Sequence, residues 1–256
     1  MTTTTLSKKL IVPLSILSTG YFFYNPLMEK LAHTLSEHNQ NYIYNKMPKR
    51  IFLIRHGESM GNLNRHLYEK IPDNRILLTE NGKKQAKELG VKLKQIIQNE
   101  SIKFYVSPYT RTRQTYYYIL ESFKENKKKT FYDYRLREQE FGNLHLYDIP
   151  NHLKRIWVGR FYYRFNNGEN GADVIERLNS FYNDLIKNTE FDKEKYDNYV
   201  FVIHSVIMRL MLKFLTNMTI EDYQQLKNPL NCGFWILEKD FKNRKYNLKK
   251  DNMYFH

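Results

Sequence analysis

Cysteine is almost absent from this chain: among 256 residues, only Cys232 carries a thiol. That excludes an internal disulfide framework, and with the eight His residues scattered it also excludes a Cys-rich structural zinc module. Acidic residues are scarce relative to basic ones, 27 Asp and Glu against 41 Lys and Arg, which gives a formal net charge of +14. The excess suits phosphate esters, nucleic acid or anionic lipid, although charge alone governs solubility and steering rather than function. Much of it is Lys interspersed with Asn, as on a solvated surface. No recognised nucleic-acid-binding motif accompanies it, so no nucleic acid partner is expected. Internal repeats are absent, and so is the carboxylate cluster that a two-metal phosphatase needs. Apolar residues, by contrast, are plentiful. They make up 41% of the chain, with 21 Tyr and 16 Phe, so the chain collapses, and its length allows one large domain or two small ones.

An uninterrupted hydrophobic span is also missing. The longest uncharged run, Leu10 to Met28, has 19 residues, close to the length that crosses a bilayer. Pro13, Gly20 and the Asn25-Pro26 pair break it, and Ser and Thr dilute it. Three readings fit: an N-terminal membrane anchor, a cleaved targeting peptide behind Lys8 and Lys9, or a soluble extension. Residues 29–46 read as a polar linker. Residues 1–47 are thus expected to form an extension and residues 48–256 the folded domain, cytoplasmic or membrane-associated through residues 10–28.

From Lys49 onward the pattern alternates strand and helix, which predicts an α/β domain with a mostly parallel central sheet covered by helices. Arg50 to Ile54, Ile102 to Val106 and Tyr199 to Ile203 are short apolar runs suited to strands buried on both faces. Thr79 is placed to cap a helix whose apolar positions are Ala86, Leu89, Leu93, Ile96 and Ile97. Further helices are expected near residues 110–123, 173–186 and 206–215, and Lys124 to Lys129 reads as a charged loop.

All three apolar runs end in polar clusters. The first continues into Arg55-His56-Gly57-Glu58-Ser59-Met60-Gly61-Asn62, the second into Ser107-Pro108-Tyr109-Thr110-Arg111-Thr112-Arg113, and the third into His204-Ser205. In open α/β sheets the ligand crevice lies beyond the carboxyl ends of the strands. Two His and two or three Arg can therefore converge on one rim. Guanidinium matches phosphate with forked donors, and strand-to-helix junctions add backbone N–H groups. One His then serves as nucleophile and the other as donor to phosphoryl oxygens, with the neighbouring Arg charges keeping the imidazole neutral.

The Arg55-His56-Gly57-Glu58-Ser59 segment with Gly61-Asn62 resembles the signature of the histidine phosphatase superfamily, in its phosphoglycerate-mutase-like branch. The order of later segments is similar too: Leu78-Thr79-Glu80-Asn81-Gly82, Ser107-Pro108 with Arg111-Thr112 and Thr115, Glu138 before Phe141-Gly142, and His204. Finer likeness, to plant phosphoglycerate-mutase-like proteins and fungal broad-range acid phosphatases, lies in residues 137–143, 159–165, 168–169 and 172–174 and in Asn231-Cys232. The resemblance runs from about Lys49 to about Leu237. It implies a three-layer α/β sandwich with a small cap insertion, formed by Leu144 to Phe165. It implies His56 as the nucleophile that becomes phosphohistidine and Glu138 as the proton donor. Arg55, Asn62, Arg111 and His204 would hold the phosphoryl group, with no metal or other cofactor. The partner it implies is a small phosphorylated substrate.

Some positions stay open. Ser59 faces the phosphate or serves the loop, Arg113 is a substrate-side cation or a surface helix residue, and Glu140 competes with Glu138. Ser205 stands where the family usually has Gly, which narrows the pocket or shifts its loop. Residues around Glu138 differ from those of the cofactor-dependent glycolytic mutases, which favours hydrolysis over phosphoryl return. A mutase, or an inactive member that binds phosphorylated ligands, are the competing readings. The cap, with His152, Lys154, Arg155, Trp157, Arg160 and Arg164, suits a doubly anionic or sugar-like phosphate.

Overall fold

Six strands form one sheet in the order β3-β2-β4-β1-β5-β6. They are β1 (Arg50–Arg55), β2 (Ile102–Val106), β3 (Lys128–Tyr132), β4 (Asn198–Ile203), β5 (Phe234–Asp240) and β6 (Lys245–Leu248). The first four run parallel to one another, and β5 and β6 turn back antiparallel beside β1. The computed structural model describes Tyr42, residues 44–142 and residues 149–249. The expected anchor at residues 10–28 lies outside them, as do most of the expected linker and the start of the cap. No helix among the described residues is long and apolar enough to cross a membrane.

Alternation along the central strands creates two cores. Phe52 and Ile54 of β1, with Phe104, Val200 and Val202, face helices α2 (Glu80–Ile97) and α3 (Thr110–Leu120). Ile51 and Leu53, with Tyr105, Tyr199, Phe201 and Ile203, face α5 (Gly171–Phe191) and α6 (Ser205–Thr216). Helices on both faces make a three-layer sandwich, as expected. A short α1 (Met60–Leu63) follows the β1 loop, α4 (Ile149–Val158) lies in the expected cap, and α7 (Ile220–Gln225) follows α6. Thr79 caps α2 as its sequence suggests, its Oγ1 accepting from Gly82 N at 2.9 Å.

Contacts to the domain begin before residue 48. Met47 is buried in the core, and the Tyr44 hydroxyl donates to the carbonyls of Asp240 and Lys245. The expected charged loop at residues 124–129 ends instead in β3, whose first residues are Lys128 and Lys129. As an edge strand beside β2 it is only partly covered, so its lysines reach water while its backbone pairs.

The sequence pattern hides Lys103, which is 1% exposed in the middle of β2. Its ammonium donates to Asp192 Oδ2 at 2.8 Å and lies over the rings of Phe131, Tyr196 and Tyr199. Asp192 retains water access, so the lysine is held chiefly by its stem and the rings. Lys103→Ala is expected to lose about 2–4 kcal/mol in urea unfolding, and Lys103→Met to recover most of it. A Lys103→Met protein as weak as the alanine variant would show that the ion pair dominates.

Candidate active site

Parallel pairing brings the carboxyl ends of β1, β2 and β4 side by side, with Arg55 opposite Ile203 and Val106 opposite Val202. His56, Ser107 and His204 follow these ends directly, so neighbouring strands deliver all three to one crevice. The two His rings lie edge to face with centroids 5.3 Å apart. Both are buried.

The loop after β1 is clamped from behind. Gly57 N donates to Thr115 Oγ1 of α3 at 3.0 Å, and that hydroxyl donates to the carbonyl of Arg111. A side chain at Gly57 would meet Gly82 O at 2.5 Å, so glycine is required where this loop rests on the start of α2. Glu58 accepts from the Thr79 hydroxyl at 2.7 Å and serves the loop. Ser59 is fully buried, and its N–H and hydroxyl both donate to Asn62 Oδ1, at 3.0 and 3.1 Å. Asn231 Nδ2 donates to the same oxygen at 2.8 Å. Ser59 and the Asn62 oxygen thus take part in the loop scaffold, which explains the Gly61-Asn62 spacing structurally.

The hydrogen bonds at His56 fix its tautomer. Nδ1 lies 2.7 Å from Gly57 O, which can only accept, so the proton is on Nδ1 and Nε2 carries the lone pair. Burial, then the charges of Arg111 and Arg55, hold this imidazole well below its ordinary value of 6.5, against a smaller pull from the Gly57 carbonyl. A neutral, fixed imidazole results. Burial and Arg111 depress His204 in the same way. Its Nε2 pairs with Ser107 Oγ at 2.8 Å, whereas its buried Nδ1 has no partner among the described residues. The Arg55 Nη1 donates to Pro229 O at 2.8 Å, and its buried Nε is likewise unpartnered.

Arg111 comes from the first turn of α3 and is 2% exposed. Its Nε donates to His56 Nε2 at 3.2 Å, its Nη1 to both Asp73 O and Asp73 Oδ1 at 2.7 Å, and its Nη2 to Asp73 Oδ2 at 3.4 Å. Arg113, one turn face away, is exposed and lies over the Tyr132 ring at 5.8 Å, as a surface helix residue would.

Glu138 is buried, whereas Glu140 is exposed and accepts from Gly142 N. Burial raises the Glu138 carboxyl above its ordinary value, opposed by Arg111, by the Gln139 N–H it accepts at 3.1 Å and by Arg55, with Asp73 adding to the rise. The structure therefore joins Glu138, not Glu140, to the His and Arg cluster. Ser205 Oγ lies 3.5 Å from Glu138 Oε2, so the residue that replaces the usual Gly addresses the carboxyl. Glu169 and Arg177 hold the Glu138 segment: Arg177 Nη2 donates to Glu138 O at 3.2 Å and pairs with both Glu169 oxygens.

Sequence reasoning passed over several neighbours. Tyr68 and Asp73 sit on two 3-10 turns, residues 65–69 and 73–75, without periodicity to mark them. Arg209 carried a readable signal, a lone charge among the buried apolar residues 206–212 of α6. It is 2% exposed, lies 5.3 Å over the Tyr223 ring and keeps a buried Nε with no partner among the described residues. Arg155 in the cap also has a buried, unpartnered Nε, and burial with the charges of Arg209 and Arg160 holds it below its ordinary value. None of these three arginines forms an ion pair among the described residues. The side chain of His152 lies outside those described.

No three His, Cys, Asp or Glu side chains gather as metal ligands would among the described residues. Known proteins match most of this chain. A family model for the histidine phosphatase superfamily, branch 1, matches residues 51–252. A phosphoglycerate mutase-like protein of Arabidopsis thaliana is 36% identical, over 75% of this chain and 74% of its own length. A broad-range acid phosphatase of Saccharomyces cerevisiae is 26% identical, over 80% of this chain and 90% of its own. The solved structure of a mycobacterial glucosyl-3-phosphoglycerate phosphatase shares the fold with a TM-score of 0.60 at 18% identity, covering 78% of this chain and 96% of that one. With most of its length matched and the two histidines on adjacent strand ends, the chain belongs to the histidine phosphatase superfamily, branch 1.

Proposed function

We propose that the protein is a phosphatase that hydrolyses small phosphate monoesters through a phosphohistidine at His56, without a metal. The observation that carries this is the set of buried nitrogens left open around a neutral imidazole: among the described residues, Arg55 Nε and His204 Nδ1 have no partner, beside a lone pair on His56 Nε2. Buried donors go unpaired only at a cost, and a phosphoryl group supplies acceptors for both. With Ser107 Oγ, 2.8 Å away, as the donor to His204 Nε2, the imidazole proton sits on Nδ1 and can be given to a phosphoryl oxygen. In this reading the His56 Nε2–phosphorus bond forms as the ester P–O bond breaks, and Glu138 gives its proton to the leaving alkoxide. Glu138 then takes a proton from water, which attacks phosphorus and releases His56. Membership of the superfamily, and a relative named as an acid phosphatase, support hydrolase chemistry.

Turnover of phosphate monoesters is expected to survive EDTA, and rapid quenching is expected to trap one acid-labile, base-stable phosphoryl group on the peptide carrying His56. Loss of all turnover in EDTA, with no such label, would refute the reading.

The arginines Arg155, Arg160 and Arg209 favour a substrate with a second anionic group. Three cations that have no carboxylate partner among the described residues, Arg209 buried and Arg155 half-buried, are stabilised by a ligand's negative charge. Glu138 is among the charges that act on Arg209, so this cluster adjoins the acid. Arg155→Met is expected to lower kcat/KM for a bisphosphorylated sugar about tenfold or more relative to an aryl phosphate. An equal loss on both substrates would assign Arg155 to the cap's packing instead.

A further inference from the structure

In the structure the phosphate-binding guanidinium is already in use. Arg111 bridges two partners, His56 Nε2 on one side and Asp73 on the other. Both hydrogens of Nη1 go to Asp73, one to its carbonyl and one to Oδ1, and Nη2 gives a longer contact to Oδ2. The carboxylate thus takes the forked donors that a phosphoryl group would take, and the Nε–H covers the lone pair that must attack phosphorus. Asp73 is not part of the core. Its side chain is 30% exposed, on an exposed segment of two 3-10 turns that begins at Arg65. The same segment carries Tyr68, whose phenol feels the charges of Arg111, Asp73, Glu138 and Arg55, so the segment lies against the site groups. Thr110 Oγ1 ties its far end to α3 by donating to Asn74 O at 2.9 Å.

We propose that Asp73 is an internal competitor for Arg111: its carboxylate holds the guanidinium away from phosphate in the empty site and gives it up when a phosphoryl dianion enters. The proposal rests on the phosphate-site reading above and adds a residue that limits affinity. Each anion that binds must first free the fork, so the apparent dissociation constant is the intrinsic one divided by the fraction of molecules in which the fork is free. The same contact favours turnover, because Arg111 has a partner to return to when inorganic phosphate leaves. An Asp73 that only positioned Arg111 would act with the opposite sign, its removal weakening phosphate binding.

The sign decides the matter. Inorganic phosphate is titrated calorimetrically into the full chain, wild type and Asp73→Asn, with product inhibition by phosphate measured alongside turnover. The proposal expects phosphate to bind Asp73→Asn about tenfold tighter, with a matching fall in its inhibition constant. Thermal midpoints report folding, and Asp73→Ala repeats the test should the asparagine variant unfold. A wild type that binds phosphate and variants that bind it no tighter would overturn the competitor role alone. Failure of wild type and both folded variants to bind phosphate would overturn it together with the phosphate-site reading.

Discussion

His56→Ala is expected to lower turnover of every phosphate monoester at least about ten-thousandfold, with the fold retained. The effect is large because, among the described residues, no other group is placed to take the proposed role. His204 has Nε2 engaged by Ser107, and the site holds no second imidazole whose tautomer is fixed with its lone pair on the crevice side. Removing a buried neutral ring opens a small void and frees Arg111 Nε, a modest structural cost that thermal unfolding would register separately. Glycine at residue 57 and the Thr115 contact lie on the backbone and remain. Turnover by His56→Ala at the wild-type rate would remove this residue from the mechanism. The depressed His56 is also expected to set the acid limb of the pH profile. The nucleophile of the proposed mechanism is active when neutral, and the His56 value lies well below 6.5, so activity is expected to persist into acid.

Glu138→Gln is expected to have the second largest effect, and one that depends on the leaving group. An alkoxide leaves poorly without a proton, so alkyl phosphates are expected to slow by about a hundredfold to ten-thousandfold. A nitrophenolate needs little help. Its release should change far less, and because the proposed mechanism also has Glu138 activate water, the phosphoenzyme should accumulate and give a burst. In the proposed mechanism the acid form works in the first step, and burial raises this carboxyl above its ordinary 4.5. The alkaline limb of the profile therefore lies above that value and is expected to vanish in the glutamine variant. Equal slowing of alkyl and nitrophenyl esters would show that Glu138 is not the proton donor.

What the sequence made legible follows from burial. β1, β2 and β4 are covered on both faces, so Ile51 to Ile54, Ile102 to Val106 and Tyr199 to Ile203 read as apolar runs even with Lys103 among them. β3, half covered at an edge, reads as the lysine-rich end of a loop. His56, Arg111 and His204 were visible because strand ends concentrate them, and Glu138 because of its offset from Phe141-Gly142. Asp73 was not visible, since an Asp after Pro72 reads as a turn and only the folded chain brings it to Arg111. The choice between Glu138 and Glu140 needed burial, which two carboxylates two residues apart do not reveal in one dimension.

The place of β1 in the sheet bears on how the chain emerges from the ribosome. The strand that delivers His56 lies between β4 and β5, and its first residue, Arg50, reaches across 148 positions to Asn198. Until that partner strand is synthesised, β1 has no neighbour on either edge, while β2 and β3 can already pair locally. This strand, buried from Ile51 to Ile54, therefore waits unpaired through most of translation. Its assembly is a late, long-range step, and the two histidines come together only once it is complete.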